Sequence, residues 1–275
     1  MTNDNDENIP IAGEEYKKVT EAMYKQNLEL ARLYKQVDGL NKNLKNLIQQ
    51  RESLMHLINH KVKGSFTHSK YIFAGLLDGM FGDISSDVKK IAQAGLDSDI
   101  VGIRTIDMIL NATNLQNGTV SYDMKPVDFK EIVLNTVEER KSVIQKKNLE
   151  LEMKIKEGEY QMNGDIFWLK EVVNNLIDNA INYTKDGKIT VGLEKQDKKI
   201  IFSVKDSGIG ITPEDKKNLF TEGGRGKESV KTNVESTGYG LFTVKLVVEA
   251  HGGKVWVESE GEGKGSEFFT QFDAI

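Results

Sequence analysis

The chain has 275 residues, of which 38% are hydrophobic and 29% are charged, and it contains no cysteine. A chain of this length predicts two domains at roughly 150 residues each, and either domain can bury a hydrophobic core. Without cysteine, disulfides, zinc-thiolate sites and thiol nucleophiles are excluded, and a reducing cytoplasm is the expected location. The formal net charge of −5 argues against a general positive field for nucleic acid, and no nucleic-acid-binding motif is visible.

The first part of the chain predicts a disordered terminus followed by a coiled coil. The expected disordered terminus is residues 1–13, whose first ten residues, MTNDNDENIP, are polar and acidic, unlike a signal peptide. No run of about 18 apolar residues that would span a bilayer occurs in the sequence. Over residues 14–58 apolar residues recur at seven-residue spacing, which is typical of the seam of a parallel dimeric coiled coil. One long helix packed on its own domain is the alternative. The seam consists of Tyr16, Val19, Met23, Leu30, Leu33, Val37, Leu40, Leu44, Leu47, Leu54 and Ile58.

Residues 50–122 predict a helical hairpin for dimerisation. Helical spacing of apolar residues continues up to Gly82, and a second helix, capped by Ser86 or Asp87, continues until Gly118. A single hairpin of this composition exposes too much apolar surface. We therefore expect two hairpins to form a four-helix bundle in a homodimer.

Residues 124–275 predict a second domain, because the composition changes at Pro126. Segments of period-two apolar residues, typical of strands, alternate there with helical segments. Such interleaving indicates a mixed sheet covered by helices on one face, which is an α+β fold with a two-layer sandwich. The expected helices are 128–146, 165–184 and 239–251, and the expected strands are 149–155, 189–193, 200–204 and 255–257.

The helix predicted over residues 165–184 is unusually rich in asparagine. Asn175 and Asn179 lie on its polar side together with Asn182. Asparagine has a low helix propensity, so this density suggests a function for the side-chain amides, whose oxygens are good Mg²⁺ ligands. A hydrated helix face is the alternative.

Two glycine-rich turns indicate a site for a nucleotide. The first, DSGIG at residues 206–210, follows a strand; a carboxylate there can accept a hydrogen bond from the exocyclic amine of adenine, and glycine permits close approach of the backbone. The second, TGYGL at residues 237–241, opens a helix whose free N–H groups attract phosphate. Residues 221–235 between them predict a mobile lid, from which Arg225 and Lys227 would reach phosphates. Plain turns and solvated loop charges are the alternatives.

Residues 175–180, 206–210 and 237–241 together resemble the N box and the two glycine boxes of sensor histidine kinases, in order and in spacing. The similarity covers about residues 50–273. The resemblance implies a dimeric hairpin that carries a phosphoacceptor histidine, followed by a GHKL-type ATP-binding catalytic domain. It also implies signal transduction to the receiver domain of a response regulator, with ATP and Mg²⁺ as cofactors.

The resemblance also assigns roles to single residues. Asn179 would bind Mg²⁺, Asn175 would lie beside it over the phosphates, and Asp206 would contact adenine. Asn175 stands where hydrolytic ATPases of the same superfamily have a glutamate that activates water, so phosphoryl transfer is favoured over hydrolysis. The other nucleotide-binding residues implied are Tyr183, Gly208, Gly210, Arg225, Lys227, Thr237, Gly238, Gly240 and Leu241.

His60 aligns with the H box of the family and is the expected site of autophosphorylation, which would make the chain a phosphoprotein. His251 stands where the family commonly has a structural histidine. Lys61 replaces the usual carboxylate after the phosphoacceptor, so slow autophosphorylation is expected. Asn182 stands where a lysine or arginine is common, so modest ATP affinity is expected.

Two other functions agree with parts of the sequence. An ATP-binding pseudokinase, acting as a dimeric signalling scaffold with weak or no autokinase activity, is the first alternative. A serine kinase of the anti-sigma type is the second, although the long coiled coil and the H-box hairpin argue against it.

Overall fold

The computed structural model describes residues 9–226 and 237–275, except for the side chains of residues 9–12, 52, 56 and 59. The chain divides into two compact units, Met1–Ser65 and Phe66–Ile275. The first helix, α1 (Ile9–Leu77), begins in the first unit and ends in the second. No helix among the described residues contains a segment both long and apolar enough to cross a bilayer.

In the first unit, α1 carries an exposed apolar stripe. Every side chain from residue 13 to residue 51 is exposed, including the seam residues Leu40 and Leu47, each of which is 62% exposed. An apolar stripe of this length gains stability only when something covers it. The long N-terminal helix is therefore confirmed, while the coiled coil, which requires a second copy, stays a prediction.

In the second unit, residues 66–77 of α1 and helix α2 (Ser86–Gln116) form a helical hairpin. Phenylalanine rings of α1 reach α2 at two glycines: a Cβ at Gly95 would lie 2.5 Å from the ring of Phe73, and a Cβ at Gly102 would lie 3.0 Å from the ring of Phe66.

The prediction that Ser86 or Asp87 caps α2 is wrong. Ser85 is the N-cap: its backbone is extended, and its hydroxyl accepts a hydrogen bond from the Val88 N–H at 3.3 Å. Ser86 already has helical geometry, so its side chain is one position too late to cap the first turn.

The rest of the second unit is an α+β sandwich, as the sequence predicts. Three expected helices and four expected strands are present, with boundaries within two residues of the prediction, except that β4 ends three residues later than expected. Strands β1, β3 and β7 and the short helix α5 were not predicted. The elements are β1 (Lys125–Asp128), α3 (Phe129–Lys146), β2 (Glu150–Ile155), β3 (Gln161–Gly164), α4 (Ile166–Tyr183), β4 (Lys188–Gln196), β5 (Lys199–Asp206), α5 (Pro213–Lys216), α6 (Gly240–Ala250), β6 (Lys254–Glu258) and β7 (Ser266–Asp273).

The main sheet has the strand order β2-β4-β5-β7-β6 and is mixed. Strand β2 pairs with β4 in parallel, whereas the other neighbours are antiparallel. Strands β1 and β3 form a separate antiparallel pair. The register places Asp206, the last residue of β5, opposite Ile189 of β4 and Ser266 of β7, so Asp206 lies at one end of the three central strands.

Helices α3, α4 and α6 share one hydrophobic core with the sheet. Phe129 of α3 packs edge-on against Phe202 of β5 and Phe272 of β7, with ring centroids 5.8 and 5.3 Å apart. Leu176 and Ile177 of α4 are fully buried in the same core. Because α4 buries this apolar stripe, its asparagine-rich side faces away from the core.

Candidate functional site

A cavity of about 600 Å³ lies beside the asparagine-rich side of α4. Its volume is in the range of about 300–1,000 Å³ that is usual for small-molecule sites. Ten of the twelve predicted nucleotide-binding residues line it, namely Asn175, Asn179, Tyr183, Asp206, Gly210, Arg225, Thr237, Gly238, Gly240 and Leu241. Gly208 lies next to Asp206 outside the lining, and Lys227, like most of the predicted lid, lies outside the described residues.

The α4 wall of the cavity is fixed by the cap at the start of the helix and by contacts of Asn175. Asp165, the N-cap, accepts hydrogen bonds from the N–H groups of Phe167 and Trp168 at 2.9 and 3.2 Å. Within the helix, the Asn175 amide donates to the Glu171 carbonyl at 2.8 Å, so its Oδ1 is directed to the other side. A Cβ at Gly240 would lie 2.9 Å from this Oδ1, which means that the start of α6 approaches the Asn175 amide closely.

Asp206 is a buried carboxylate, with only 5% of its surface exposed. Its Oδ1 accepts a hydrogen bond from the Gly208 N–H at 2.8 Å, and its Oδ2 accepts one from the Ser266 hydroxyl. Burial raises the pKa of the Asp206 carboxyl, whereas these hydrogen bonds act to lower it. Each carboxylate oxygen has a second acceptor position, so Asp206 can also accept a hydrogen bond from a ligand in the cavity.

The turn after β5 requires glycine at two positions. A Cβ at Gly208 would lie 2.8 Å from both Asp206 Oδ1 and the Tyr183 carbonyl carbon, and nearer still to the Tyr183 oxygen. Gly210 has a φ of +69°, and its Cβ would overlap the backbone of Gly261. The Ile209 N–H donates to the Tyr183 carbonyl at 3.2 Å, which ties the turn to the end of α4.

The second glycine-rich turn joins the cavity to α2. Gly238 has a φ of +75°, and a Cβ there would lie 2.7 Å from the backbone of Gly223. The Thr237 hydroxyl donates to the Met108 sulfur of α2 at 3.1 Å. Tyr239, the N-cap of α6, makes no side-chain capping hydrogen bond, so the N-terminus of α6 can accept an anion through its backbone N–H groups.

Among the parts of the cavity wall that were not predicted from the sequence are two contributed by α2 and by the end of α3. One is a face of α2 formed by Val101, Arg104, Thr105 and Met108. These residues have the spacing of one helix face, but the same spacing is expected for packing within the hairpin, so the sequence does not distinguish the two. The other is Lys147 at the end of α3, whose Nζ donates to the Ile181 carbonyl at 2.9 Å.

The histidines differ in their surroundings. His60 and His68 are exposed on α1, while the side chain of His56 is outside the described residues. His251 is buried: its Nε2 accepts from the Asp165 N–H at 3.0 Å, so its Nδ1 carries the proton and donates to the Val247 carbonyl at 2.7 Å. Burial lowers the pKa of His251. This bonding agrees with the structural role expected for His251.

Residues 164–274 match the family described as histidine kinase-, DNA gyrase B-, and HSP90-like ATPase. The match contains all three predicted motifs. In fold and in site, residues 164–274 are thus similar to the ATPase domains of that family.

Several relatives of the chain are named as sensor proteins or histidine kinases. The sensor protein GacS of Pseudomonas syringae pv. syringae is 28% identical over 170 residues, which are 60% of this chain and 19% of GacS. The circadian input-output histidine kinase CikA of Synechococcus elongatus is 26% identical over 215 residues, which are 77% of this chain and 28% of CikA. The sensor protein SrrB of Staphylococcus aureus is 37% identical over 105 residues, which are 38% of this chain and 18% of SrrB. The alignments thus span between 18% and 28% of the length of these relatives.

Solved structures of histidine kinases share the fold. Full-length ShkA in complex with AMPPNP superimposes with a TM-score of 0.66 at 19% identity, over 81% of this chain and 46% of ShkA. The Acinetobacter baumannii histidine kinase AdeS superimposes with a TM-score of 0.55 at 21% identity, over 78% of this chain and 97% of AdeS. The resemblance to sensor histidine kinases that the motifs predicted is confirmed.

Proposed function

We propose that the chain is an ATP-dependent protein-histidine kinase, which phosphorylates its own His60 and passes the phosphoryl group to an aspartate of a response regulator. The observation that carries this proposal is the cavity itself. Three motifs that are distant in the sequence meet around it, with Asp206 buried at one side and the amides of Asn175 and Asn179 at another.

The cavity residues fit adenine and phosphate at different places. Asp206 accepts a hydrogen bond from the exocyclic amine of adenine, and the turn at Gly208 and Gly210 brings backbone close to the base. The N-terminus of α6, which follows Gly238, binds phosphate through N–H groups and the helix dipole. A bound nucleotide would explain why the cavity lining combines glycines with the buried carboxylate of Asp206.

The amide oxygens of α4 fit a magnesium ion. Asn175 and Asn179 lie one helical turn apart on the cavity side, and Mg²⁺ usually takes one or two protein oxygens beside phosphates and water. We assign Asn179 as the ligand and place Asn175 beside it. When bound, Mg²⁺ neutralises charge on the phosphate oxygens.

Phosphoryl transfer requires a neutral imidazole nitrogen of His60 in line with the γ-phosphate. The N–P bond forms as the bond from phosphorus to the ADP oxygen breaks, and the ring then gives up its other N–H proton to a base or to water. His60 is exposed on α1, as a phosphoacceptor must be. Asn175 cannot act as a general base toward water, which favours the histidine over hydrolysis.

A homodimer, a response-regulator partner and a reducing location complete the proposal. The exposed stripe on α1 supports the homodimer, because Leu33, Leu40 and Leu47 are each more than half exposed at heptad spacing. The absence of cysteine from the sequence is compatible with a cytoplasmic site of action.

The test is incubation of the purified chain with γ-labelled ATP and Mg²⁺, followed by scoring of acid-labile, base-stable label. His68→Gln is the matched control for His60→Gln, because both histidines are exposed on α1. We expect label on the wild type and on His68→Gln, and none on His60→Gln or Asn179→Ala. Label retained by His60→Gln contradicts the assignment of His60. A wild type that binds ATP but takes up no label supports the pseudokinase instead.

A further inference from the structure

The α4 wall of the cavity is polar but contributes no cation. Its lining residues are Asn175, Asp178, Asn179, Asn182 and Tyr183. The one carboxylate among them is paired with a cation outside the lining, because the Arg140 guanidinium donates to Asp178 at 2.8 Å. A nucleoside diphosphate or triphosphate brings several negative charges into this space, and a fixed positive charge nearby favours its binding.

Lys147 brings a positive charge to this wall from the neighbouring helix. It is the C-cap residue of α3, and its Nζ donates to the carbonyl of Ile181, the residue before Asn182, at 2.9 Å. Lys147 and Asn182 both line the cavity. An ammonium group has three donors, so the bond to Ile181 leaves two for a ligand. The C-terminal end of α4, where this carbonyl lies, attracts a cation through the helix dipole.

We propose that Lys147 is a specificity-determining residue of the nucleotide site, whose ammonium contacts the phosphates of bound ADP or ATP and selects phosphorylated nucleotides over adenosine. This inference rests on the proposed ATP-binding function. Among the described residues that line the cavity, the other cations lie on different elements: Arg104 belongs to α2, and Arg225 lies in the chain after α5. Lys147, by contrast, ends α3, which packs directly on α4.

Equilibrium binding of adenosine, ADP and ATP to the full chain tests the proposal. Lys147→Gln removes the charge, and Lys146→Gln is the matched control, because Lys146 is the adjacent basic residue in the last turn of α3 and does not line the cavity. We expect Lys147→Gln to weaken ADP and ATP binding by about tenfold and to leave adenosine binding unchanged, since a hydrogen bond to a charged group contributes on this scale. Lys146→Gln should bind all three ligands like the wild type.

A second variant separates a ligand contact from a structural cap. Asn182→Lys, made in the Lys147→Gln background, restores an ammonium at the same wall, and we expect it to recover most of the lost ADP affinity. Equal losses for adenosine and ADP, or a lower melting temperature with an unchanged ratio of their affinities, would show that Lys147 only caps α4 and would overturn the proposal. Failure of the wild type to bind either ligand would instead refute the proposed ATP-binding function.

Discussion

Gly208 offers a sharp test of how the nucleotide site is built, because it has little space for even one methyl group. A Cβ at this position would lie 2.8 Å from the Tyr183 carbonyl carbon and 2.8 Å from Asp206 Oδ1, whereas ordinary contact begins at 3.4 Å. In Gly208→Ala the backbone of the turn must therefore move by at least 0.6 Å, and by more to clear the Tyr183 oxygen. That movement carries the Gly208 N–H away from Asp206 Oδ1.

These contacts allow the effect of Gly208→Ala on stability and on ADP affinity to be estimated. Overpacking of this kind costs about 1–3 kcal/mol of unfolding free energy. For a domain of 150–250 residues each kcal/mol lowers the melting temperature by about 2–4 °C, so we expect a fall of about 2–12 °C. The displaced turn also moves Asp206 away from the exocyclic amine of adenine. Loss of that hydrogen bond to a charged group lowers ligand affinity by about tenfold or more, so the ADP affinity should fall by at least that factor.

Thermal unfolding followed by circular dichroism, together with calorimetric titration of ADP, measures both effects. Gly39→Ala is the control, because a Cβ there meets nothing within 4 Å and alanine is the better helix former by about 1 kcal/mol. It should leave the ADP affinity unchanged and not lower the melting temperature. A Gly208→Ala protein with the melting temperature and ADP affinity of the wild type would refute the packing described for this turn.

Asp206→Asn should lower adenosine affinity by at least tenfold in calorimetry, because the amide places a donor against the exocyclic amine; unchanged affinity would contradict the adenine contact. Stability to urea should fall as pH decreases below 6.5, because burial lowers the pKa of His251 and the unfolded chain therefore takes up the proton first. The His251→Asn protein should lose less stability over the same pH range. An equal loss in His251→Asn would show that His251 is not the group responsible. Lys61→Glu should raise the initial rate of labelling by γ-labelled ATP, because a carboxylate stabilises the imidazolium charge that develops on His60. A lower rate would contradict the expected inhibitory effect of Lys61 on autophosphorylation.

The sequence predicts most of the fold because most elements carry their own periodicity. The heptads of α1, the apolar stripe of α4 and the alternation of β4 and β5 are local patterns. Strands β1 and β3 have only four residues each, which is too short for a period to stand out. In β7 the alternation of apolar and polar residues is interrupted, because the adjacent residues Phe268 and Phe269 are both apolar. Phe268 faces the core, whereas Phe269 stacks on Trp256 with ring centroids 5.0 Å apart.

The nucleotide site divides in the same way between local and non-local residues. Asn175, Asn179 and the two glycine turns were predicted because each motif is a short segment whose residue types already suit its ligand. Lys147 and the α2 residues around Met108 enter the cavity only through tertiary packing, α3 on α4 in one case and α2 on α6 in the other. In the sequence alone, Lys147 is indistinguishable from any surface lysine at the end of an amphipathic helix. Met108 is likewise indistinguishable from a methionine that packs in a core. Residues of this second kind can differ between proteins that share all three motifs, so we expect differences in nucleotide preference to arise there rather than in the motifs themselves.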